Sequence, residues 1–496
     1  MRASPPALRP LPRPQHLCVP HGEPNAVSVV DRIASLLDRF GVITQERFYP
    51  TVGLAWPRVV TGFAIMSKQT VDLALVGIAV GIAGTAGLAF ALAYWGLVIM
   101  LGLGLASGTI SLVSQHYGAE AFDRAARTVN MSVIVAVLLS IPLMYVFIAY
   151  PATLIGLLGA EPEPLREGSV YLVLVAPAIV FELLNLIASR TYTGIGDTYT
   201  EMVVRATGAG LNVVLSAVLI FGLGLGVAGA AIGTTLSTGV VTLVLAWGML
   251  GRSYGGYAGL KPSPVTIAPG GPWFDMALFV QLLEIAAPEI GRRLAEGIVV
   301  FPLLWIAASF GPVIVTAFEV ARRIRGLINS ANWGLSLASS ALVGQHLGAN
   351  EEDEAAAYGG SIIRLALVVY LVVGVGVIVF AESIAGIFVS GPDAIAQTAI
   401  FVVVCAVSAV GQGIDGTATG ALVGAGDTRW PFVAAILGRY VFALPAAALG
   451  LVTPIGVAGL YLALLLEVYV PGAINYGLFR SGRWKAVSRR YRTTAK

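Results

Sequence analysis

Charge is what this sequence most lacks. Only 11% of its 496 residues are Asp, Glu, Lys or Arg, whereas a soluble chain carries about 25%. That shortage excludes a soluble globular enzyme and leaves no basic surface for a nucleic-acid partner. Cysteine is almost absent. Cys18 and Cys405 are too few and too distant for a disulfide framework or a metal knuckle. The four histidines, His16, His21, His116 and His346, form no sequence cluster for zinc or haem. A phosphate-binding P-loop, a kinase set and a hydrolase elbow are all missing, so no ATP-driven pump and no enzyme is expected, and no organic cofactor or resident metal. Residues 1–25 are Pro-rich and polar and lack the apolar core of a signal peptide. They read as disordered, or as the product of a start codon assigned too early.

Apolar residues are what the chain has in excess, at 57%, together with 59 glycines. The class is a polytopic membrane protein. Spanning helices need about 20 apolar residues each. Twelve such runs occur: 56–78, 83–113, 129–150, 168–190, 201–222, 226–249, 280–307, 312–343, 358–380, 396–420, 430–452 and 455–478. Residues 26–39 are amphipathic and too charged to span, which predicts an interfacial helix.

The chain also repeats itself at an offset of 230 residues. Gln115-His116-Tyr117-Gly118-Ala119 returns as Gln345-His346-Leu347-Gly348-Ala349. Gly196-Asp197-Thr198 returns as Gly426-Asp427-Thr428, and Gly226-Val227-Ala228-Gly229 as Gly456-Val457-Ala458-Gly459. Six spans per half return the chain to its starting side, so the repeats are parallel. The expected organisation is a disordered N-terminus plus interfacial helix (1–50), an N-lobe of six spans (51–249), a connector (250–279), a C-lobe of six spans (280–478) and a basic tail (479–496). The connector, rich in Gly and Pro, reads as a hinge between the lobes.

Loop charge sets the orientation. The tail after Leu478 carries Arg480, Arg483, Lys485, Arg489, Arg490, Arg492 and Lys496 and no acid. Arg124, Arg127, Arg252, Lys261 and Arg429 lie in loops of the same side, while Glu161, Glu163, Glu167, Glu382 and Asp393 lie opposite. The positive-inside rule places both termini in the cytoplasm, in a multi-pass plasma-membrane protein. Besides setting orientation, the basic tail could touch anionic membrane lipid.

Ionisable residues inside spans are costly to insert, on the order of 3 kcal/mol each, and mark function. Asp72 lies in span 1, roughly 22 Å along the helix from Pro57 at 1.5 Å per residue. A carboxylate in an apolar run can bind a cation or exchange a proton. Lys68, four residues earlier, offers the alternative of a structural bridge. Glu182 in span 4, two turns from Arg190, reads as a packing or mouth residue. Glu296 follows Arg292 and Arg293 in span 7. Glu319 stands beside Arg322 and Arg323 in span 8 and suits gating or structure. Asp415 in span 10 has no cation within one turn. Asn212 and Ser216 share a face of span 5, and Thr234 lies in span 6; their oxygens suit sodium or a proton-linked water network, or plain helix-to-helix hydrogen bonds. Asp197 and Asp427 are loop residues that can cap the following helices.

In this order and frame the chain resembles the multidrug and toxic compound extrusion (MATE) transporters, with affinity to the DinF-like archaeal and bacterial branch. The resemblance covers about 52–478. It rests on Trp56-Pro57, Val71-Asp72 with Val76-Gly77, Gln115 with Gly118-Ala119, Gly194-Ile195-Gly196-Asp197-Thr198, Gly210-Leu211-Asn212, Leu219-Ile220-Phe221-Gly222, Gly226-Val227-Ala228-Gly229-Ala230-Ala231, Gln345, Gly348-Ala349-Asn350 and Gly424-Ala425-Gly426-Asp427-Thr428. It implies an all-α, V-shaped pair of six-helix lobes that alternate in access. It also implies efflux of cationic or amphipathic organic compounds, driven by protons or sodium, by a chain acting as a monomer. Asp72, Asn212 and Thr234 match the family's N-lobe cation site, and Glu296 matches a span 7 acid of another branch. Ser216-Ala217 stands where that N-lobe pattern has aspartate-proline, so only one of two paired carboxylates is present. Gln412 stands where some members have a span 10 aspartate, with Asp415 about one turn later. Two other readings compete: a flippase of lipid-linked saccharides, which needs a strongly cationic central cavity, and a membrane scaffold without transport.

Overall fold

The computed structural model describes residues 29–267, 274–389 and 391–493. The Pro-rich segment 1–25, with Cys18, His16 and His21, lies outside the described residues, as do part of the connector and Lys496. Among the described residues the secondary structure is entirely helical. The N-terminal half contains α1 (Val29–Arg39), α2 (Gln45–Val80), α3 (Ile82–Gly118), α4 (Phe122–Ala149), α5 (Pro151–Leu157), α6 (Pro162–Gly194), α7 (Thr198–Ala217) and α8 (Gly226–Met249). The C-terminal half contains α9 (Met276–Ile298), α10 (Val300–Ala308), α11 (Pro312–Gly348), α12 (Glu352–Val379), α13 (Ala381–Phe388), α14 (Pro392–Gly424), α15 (Arg429–Ile436), α16 (Leu444–Val452), α17 (Ala458–Ser481) and α18 (Arg483–Thr493). Short π-helical stretches, Val218–Gly222 and Leu437–Ala443, continue α7 and join α15 to α16.

Among the described residues, ten helices are long and apolar enough to cross a membrane. The other two of the twelve spans depart from that pattern for identifiable reasons. Span 7 is divided between α9 and α10 at Val299. Pro302 has no N–H to offer the carbonyl of Ile298, one turn back, which removes a rung of the helix there. Span 8 is α11, made polar by Glu319, Arg322, Arg323 and Arg325.

The backbone obeys the 230-residue repeat. Positive φ recurs in pairs at that spacing: Gly81 and Gly311 (79° and 98°), Glu120 and Asn350 (55° and 64°), Gly196 and Gly426 (89° and 83°), and Gly226 and Gly456 (52° and 53°). Each marks a turn between spans, and the two non-glycine residues occupy a region that costs a side chain about 1 kcal/mol or more. At Gly196 the turn runs into α7, whose first N–H groups are capped by Asp197: its Oδ1 accepts from the Thr200 backbone at 3.0 Å and its Oδ2 from the Thr200 hydroxyl at 2.6 Å.

The lobes meet towards the side of both termini. There α3 lies along α9 and α11, and α2 lies along α11. Small residues permit the approach: a Cβ on Gly104 would fall 2.4 Å from Ile290, and one on Gly334 would fall 2.5 Å from the Ala55 carbonyl. Towards the other side, Gly326 of α11 has open space about it. The described part of the connector is no free tether. Leu260 and Val265 are buried against the N-lobe, in a cluster with Tyr192, Leu245 and Met249. The tail likewise folds back as α18, with Trp484 buried and stacked on Phe479 at 5.4 Å.

Candidate ion and substrate sites

Asp72 is 6% exposed, on the lobe-interior face of α2. Its environment is built by three helices. Asn212 of α7 places its amide nitrogen 3.1 and 3.2 Å from the two carboxylate oxygens, in the orientation that also lets its carbonyl accept from the Thr234 backbone at 3.2 Å. The Thr234 hydroxyl of α8 donates to Asp72 Oδ2 at 3.4 Å. Ser216, one turn beyond Asn212, is fully buried facing the carboxylate, but its hydroxyl makes no hydrogen bond of good geometry. Gly233 of α8 leaves it room: a Cβ there would stand 2.8 Å from the Ser216 Oγ. Four of the sequence-predicted residues thus converge.

The bridge to Lys68 does not form. Among the described residues Lys68 is in no ion pair, although it acts on Asp72 electrostatically and lines the same cavity of about 60 Å³ with Asp72, Tyr171, Asn185 and Thr238. That volume holds one or a few waters or a small cation. Glu182 and Arg205 form the far wall and pair at 3.0 Å. Glu182 is therefore part of this cavity, not a residue of the mouth.

The C-lobe acids arrange differently. Asp415 of α14 accepts from Asn475 Nδ2 of α17 at 2.8 Å and from the Thr419 hydroxyl at 3.5 Å. Cations absent from its own helix reach it from others, for Arg292 and Arg439 both lie close enough to act on it electrostatically. Glu296 is held by Arg292 one turn earlier and by Arg439 at 3.2 Å. Arg292 also holds Glu289 at 2.5 Å, and Arg293 reaches the same Glu289 at 3.2 Å. Glu296 belongs to a network of three arginines and two glutamates, whose remaining positive charge faces Asp415. Glu319 pairs with Arg322 at 3.3 Å. Gln412 is not brought to Asp415; its carbonyl oxygen is buried without a partner.

Several charged residues escape a search confined to acids in mid-span. Glu201 is fully buried at the start of α7, 2.9 Å from Arg58 and 3.8 Å from Arg205, and accepts from Ser189 at 3.0 Å. The Glu201–Arg205 spacing of four is visible in the sequence as a helical pair. Its link to Arg58, 143 residues earlier, is not. Asn475 and Arg439 carry no sequence signal of their own.

Comparison with known proteins places this geometry in context. The MatE family model matches residues 57–218 and 290–449, one segment in each lobe. A probable multidrug resistance protein NorM from Rhodopseudomonas palustris is 26% identical over 432 residues, covering 86% of this chain and 90% of that one. A crystal structure of MATE in the bent conformation superposes with a TM-score of 0.80 at 21% identity, covering 90% of this chain and 97% of the other. A MOP superfamily transporter from Pyrococcus furiosus superposes with a TM-score of 0.78 at 21% identity, covering 88% and 96%; for that protein, reverse polarity of the binding pocket is said to suggest a different function.

Proposed function

The chain belongs to the MatE family of membrane transporters, and from that premise we propose that it is a secondary antiporter that expels small amphipathic organic compounds, organic cations among them, in exchange for an inward cation, a proton or sodium. The observation that carries the reading is the buried Asp72 carboxylate, hydrogen-bonded by neutral groups of α7 and α8 and, among the described residues, in no ion pair, though Lys68 lies near enough to act on it electrostatically. An unpaired carboxylate in a membrane interior is costly, and a bound cation or proton removes that cost. Binding therefore stabilises the N-lobe arrangement in which α2, α7 and α8 close around the carboxylate. Transport follows if substrate and coupling ion favour opposite openings of the V, since each ligand can shift the equilibrium only by its differential affinity for the two states. Glu182 lines the same cavity but is paired with Arg205 at 3.0 Å, which leaves Asp72 as the carboxylate open to the ion, so a single charge is exchanged there. We place the protein in the plasma membrane with both termini cytoplasmic, acting as a monomer; the basic loops and tail support that orientation.

The flippase alternative needs a strongly cationic centre. Here Arg58, Arg205, Arg292, Arg293, Arg322, Arg325 and Arg439 each stand in an ion pair with a glutamate, while Lys68, Arg323 and the buried Arg190 pair with no described acid; most of the central cationic charge is offset, which favours the antiport reading. The deciding experiment is efflux from proteoliposomes with a sodium gradient or a pH gradient imposed separately, in the native chain and in Asp72→Asn. One gradient should drive efflux of a cationic amphipathic dye, and Asp72→Asn should abolish it. No transport under either gradient overturns the reading. A non-transporting scaffold would retain its phenotype in cells with Asp72, Glu296 and Asp415 all neutralised.

A further inference from the structure

A cavity of about 690 Å³ opens on the side of the termini, between the start of α9, the 426–430 loop and α18. One part of its lining is apolar: Met276, Val280 and Trp430, all exposed, with Val487. The other part carries Arg429, Arg483 and Arg490. Arg429 and Arg483 are exposed and form no ion pair with a described residue. Two acids also line it. Asp427 is buried beneath the loop, and Glu284 is exposed at the rim.

The N-lobe shows what the repeat places in the corresponding position. Under the 230-residue offset, Thr200 answers to Trp430 and Lys261 to Tyr491. In the N-lobe the connector covers this position itself: the Lys261 backbone donates to the Thr200 hydroxyl at 3.3 Å, and Leu260 and Val265 are buried there. In the C-lobe the chain folds as a helix instead, and a space remains.

We propose that this space binds one anionic phospholipid from the leaflet on the side of the termini. The phosphodiester would lie against Arg429, Arg483 and Arg490. The hydroxyls of a glycerol headgroup can donate to Glu284, and the first methylenes of an acyl chain would cover Met276, Val280 and Trp430. Tryptophan at the headgroup level and basic pockets beside spans are the expected chemistry of such a site. The bound lipid would tie α18 to α9. Because Ser488 of α18 donates to Gln115 Oε1 at 2.9 Å, it would also hold the lobes closed on that side. The proposal rests on the membrane placement of the chain and not on the antiport reading, so each can fail without the other.

The test is titration of the delipidated full-length chain in detergent with phosphatidylglycerol or phosphatidylcholine, read by native mass spectrometry and by thermal shift. One phosphatidylglycerol should be retained in preference to phosphatidylcholine. Removing two arginines as Arg429→Gln with Arg483→Gln should weaken its binding about thirtyfold, at roughly 1 kcal/mol per basic residue. Val280→Trp, which fills the apolar part and leaves every charge, should weaken it too. Lys485→Gln with Arg489→Gln removes the same charge from α18, but at residues paired with Asp353 and Glu352 away from the cavity, and should leave binding intact. Equal binding of the two lipids overturns the site. So does equal weakening by the two double variants, which would mean that only the total positive charge on this side matters.

Discussion

Gln115 and Gln345 reach across the junction between the lobes in opposite directions and make the same bond. Gln115 Nε2 donates to the Gly424 carbonyl at 2.9 Å, and Gln345 Nε2 donates to the Gly194 carbonyl at 2.8 Å. Donors and acceptors are each 230 residues apart, so the clasp is the internal repeat expressed as a two-fold contact. Each backbone also requires glycine opposite it. A Cβ on Gly118 would lie 1.8 Å from the Gln345 carbonyl oxygen, and one on Gly348 would lie 1.9 Å from that of Gln115.

Gly118→Ala and Gly348→Ala should therefore force the lobes apart on the side of the termini, since the clash is with backbone and no rotamer relieves it. A cysteine introduced at Ser114, buried against Gly344 of the other lobe, should react faster with a membrane-impermeant maleimide in either variant. Gln115→Ala and Gln345→Ala remove cross-lobe hydrogen bonds worth about 1 kcal/mol each and should give smaller shifts in the same direction. An unchanged labelling rate in Gly118→Ala would show that this junction does not hold the gate.

The N-lobe site ranks its own residues. Asn212 supplies the strongest contacts to the Asp72 carboxylate, and a hydrogen bond to a charged group contributes about 1.5–3 kcal/mol. That amide stabilises the ion-free carboxylate, so Asn212→Ala should lower the concentration of coupling ion needed for half-maximal transport by about tenfold or more. Ser216→Ala should change it little, because the Ser216 hydroxyl makes no good hydrogen bond. Equal effects of the two would remove Asn212 from its assigned place.

Lys68 gives a prediction of opposite sign. It shares the cavity with Asp72 without pairing to it, so its charge repels an arriving cation. Lys68→Met should lower the coupling-ion concentration at half-maximal transport several-fold. A rise instead would mean that Lys68 steadies the empty carboxylate.

The scaffold was far more legible than the charges. Twelve apolar runs and one offset define two parallel lobes, because membrane insertion and repeated turns leave local signatures such as Gly81 and Gly311. Asp72, Asn212 and Thr234 were found because apolar surroundings make each conspicuous in its own span. The pairings were not legible. Asp72 has a lysine at the helical spacing and still takes its partners from α7 and α8, while Asp415 looks isolated on α14 and meets Asn475 from α17. Sequence spacing reports neighbours on one helix, and these sites are made between helices.

Outside the membrane, Asp427 offers a test by pH. It is 7% exposed, and burial pushes its carboxyl above the usual range, against the opposing pull of the Trp430 backbone, Arg429 and Arg490, with Tyr491 beside it. A carboxyl with a raised folded-state value holds its proton more tightly when folded. Its contribution is therefore fully present at low pH and is lost as pH rises from about 4. Asp427→Asn should flatten the fall in thermal stability over that window. A slope identical to that of the native chain would assign it to other groups.

Arg58 and Glu201 provide the sharpest measure of what joins α2 to α7. The pair is 2.9 Å apart, with side chains 7% and 0% exposed. Breaking a buried pair leaves an uncompensated charge and costs about 3–5 kcal/mol, whereas replacing both members with neutral residues of similar volume is often close to neutral. Glu201 also answers Arg205 and Ser189, but Arg205 keeps Glu182 at 3.0 Å, so Glu201→Gln strands Arg58 while Arg58→Met strands no charge. Glu201→Gln should thus lower the unfolding temperature more than Arg58→Met. Combining the two should recover part of the loss, because the stranded arginine is then gone. A strictly additive double variant would show that the three charges do not act as one unit.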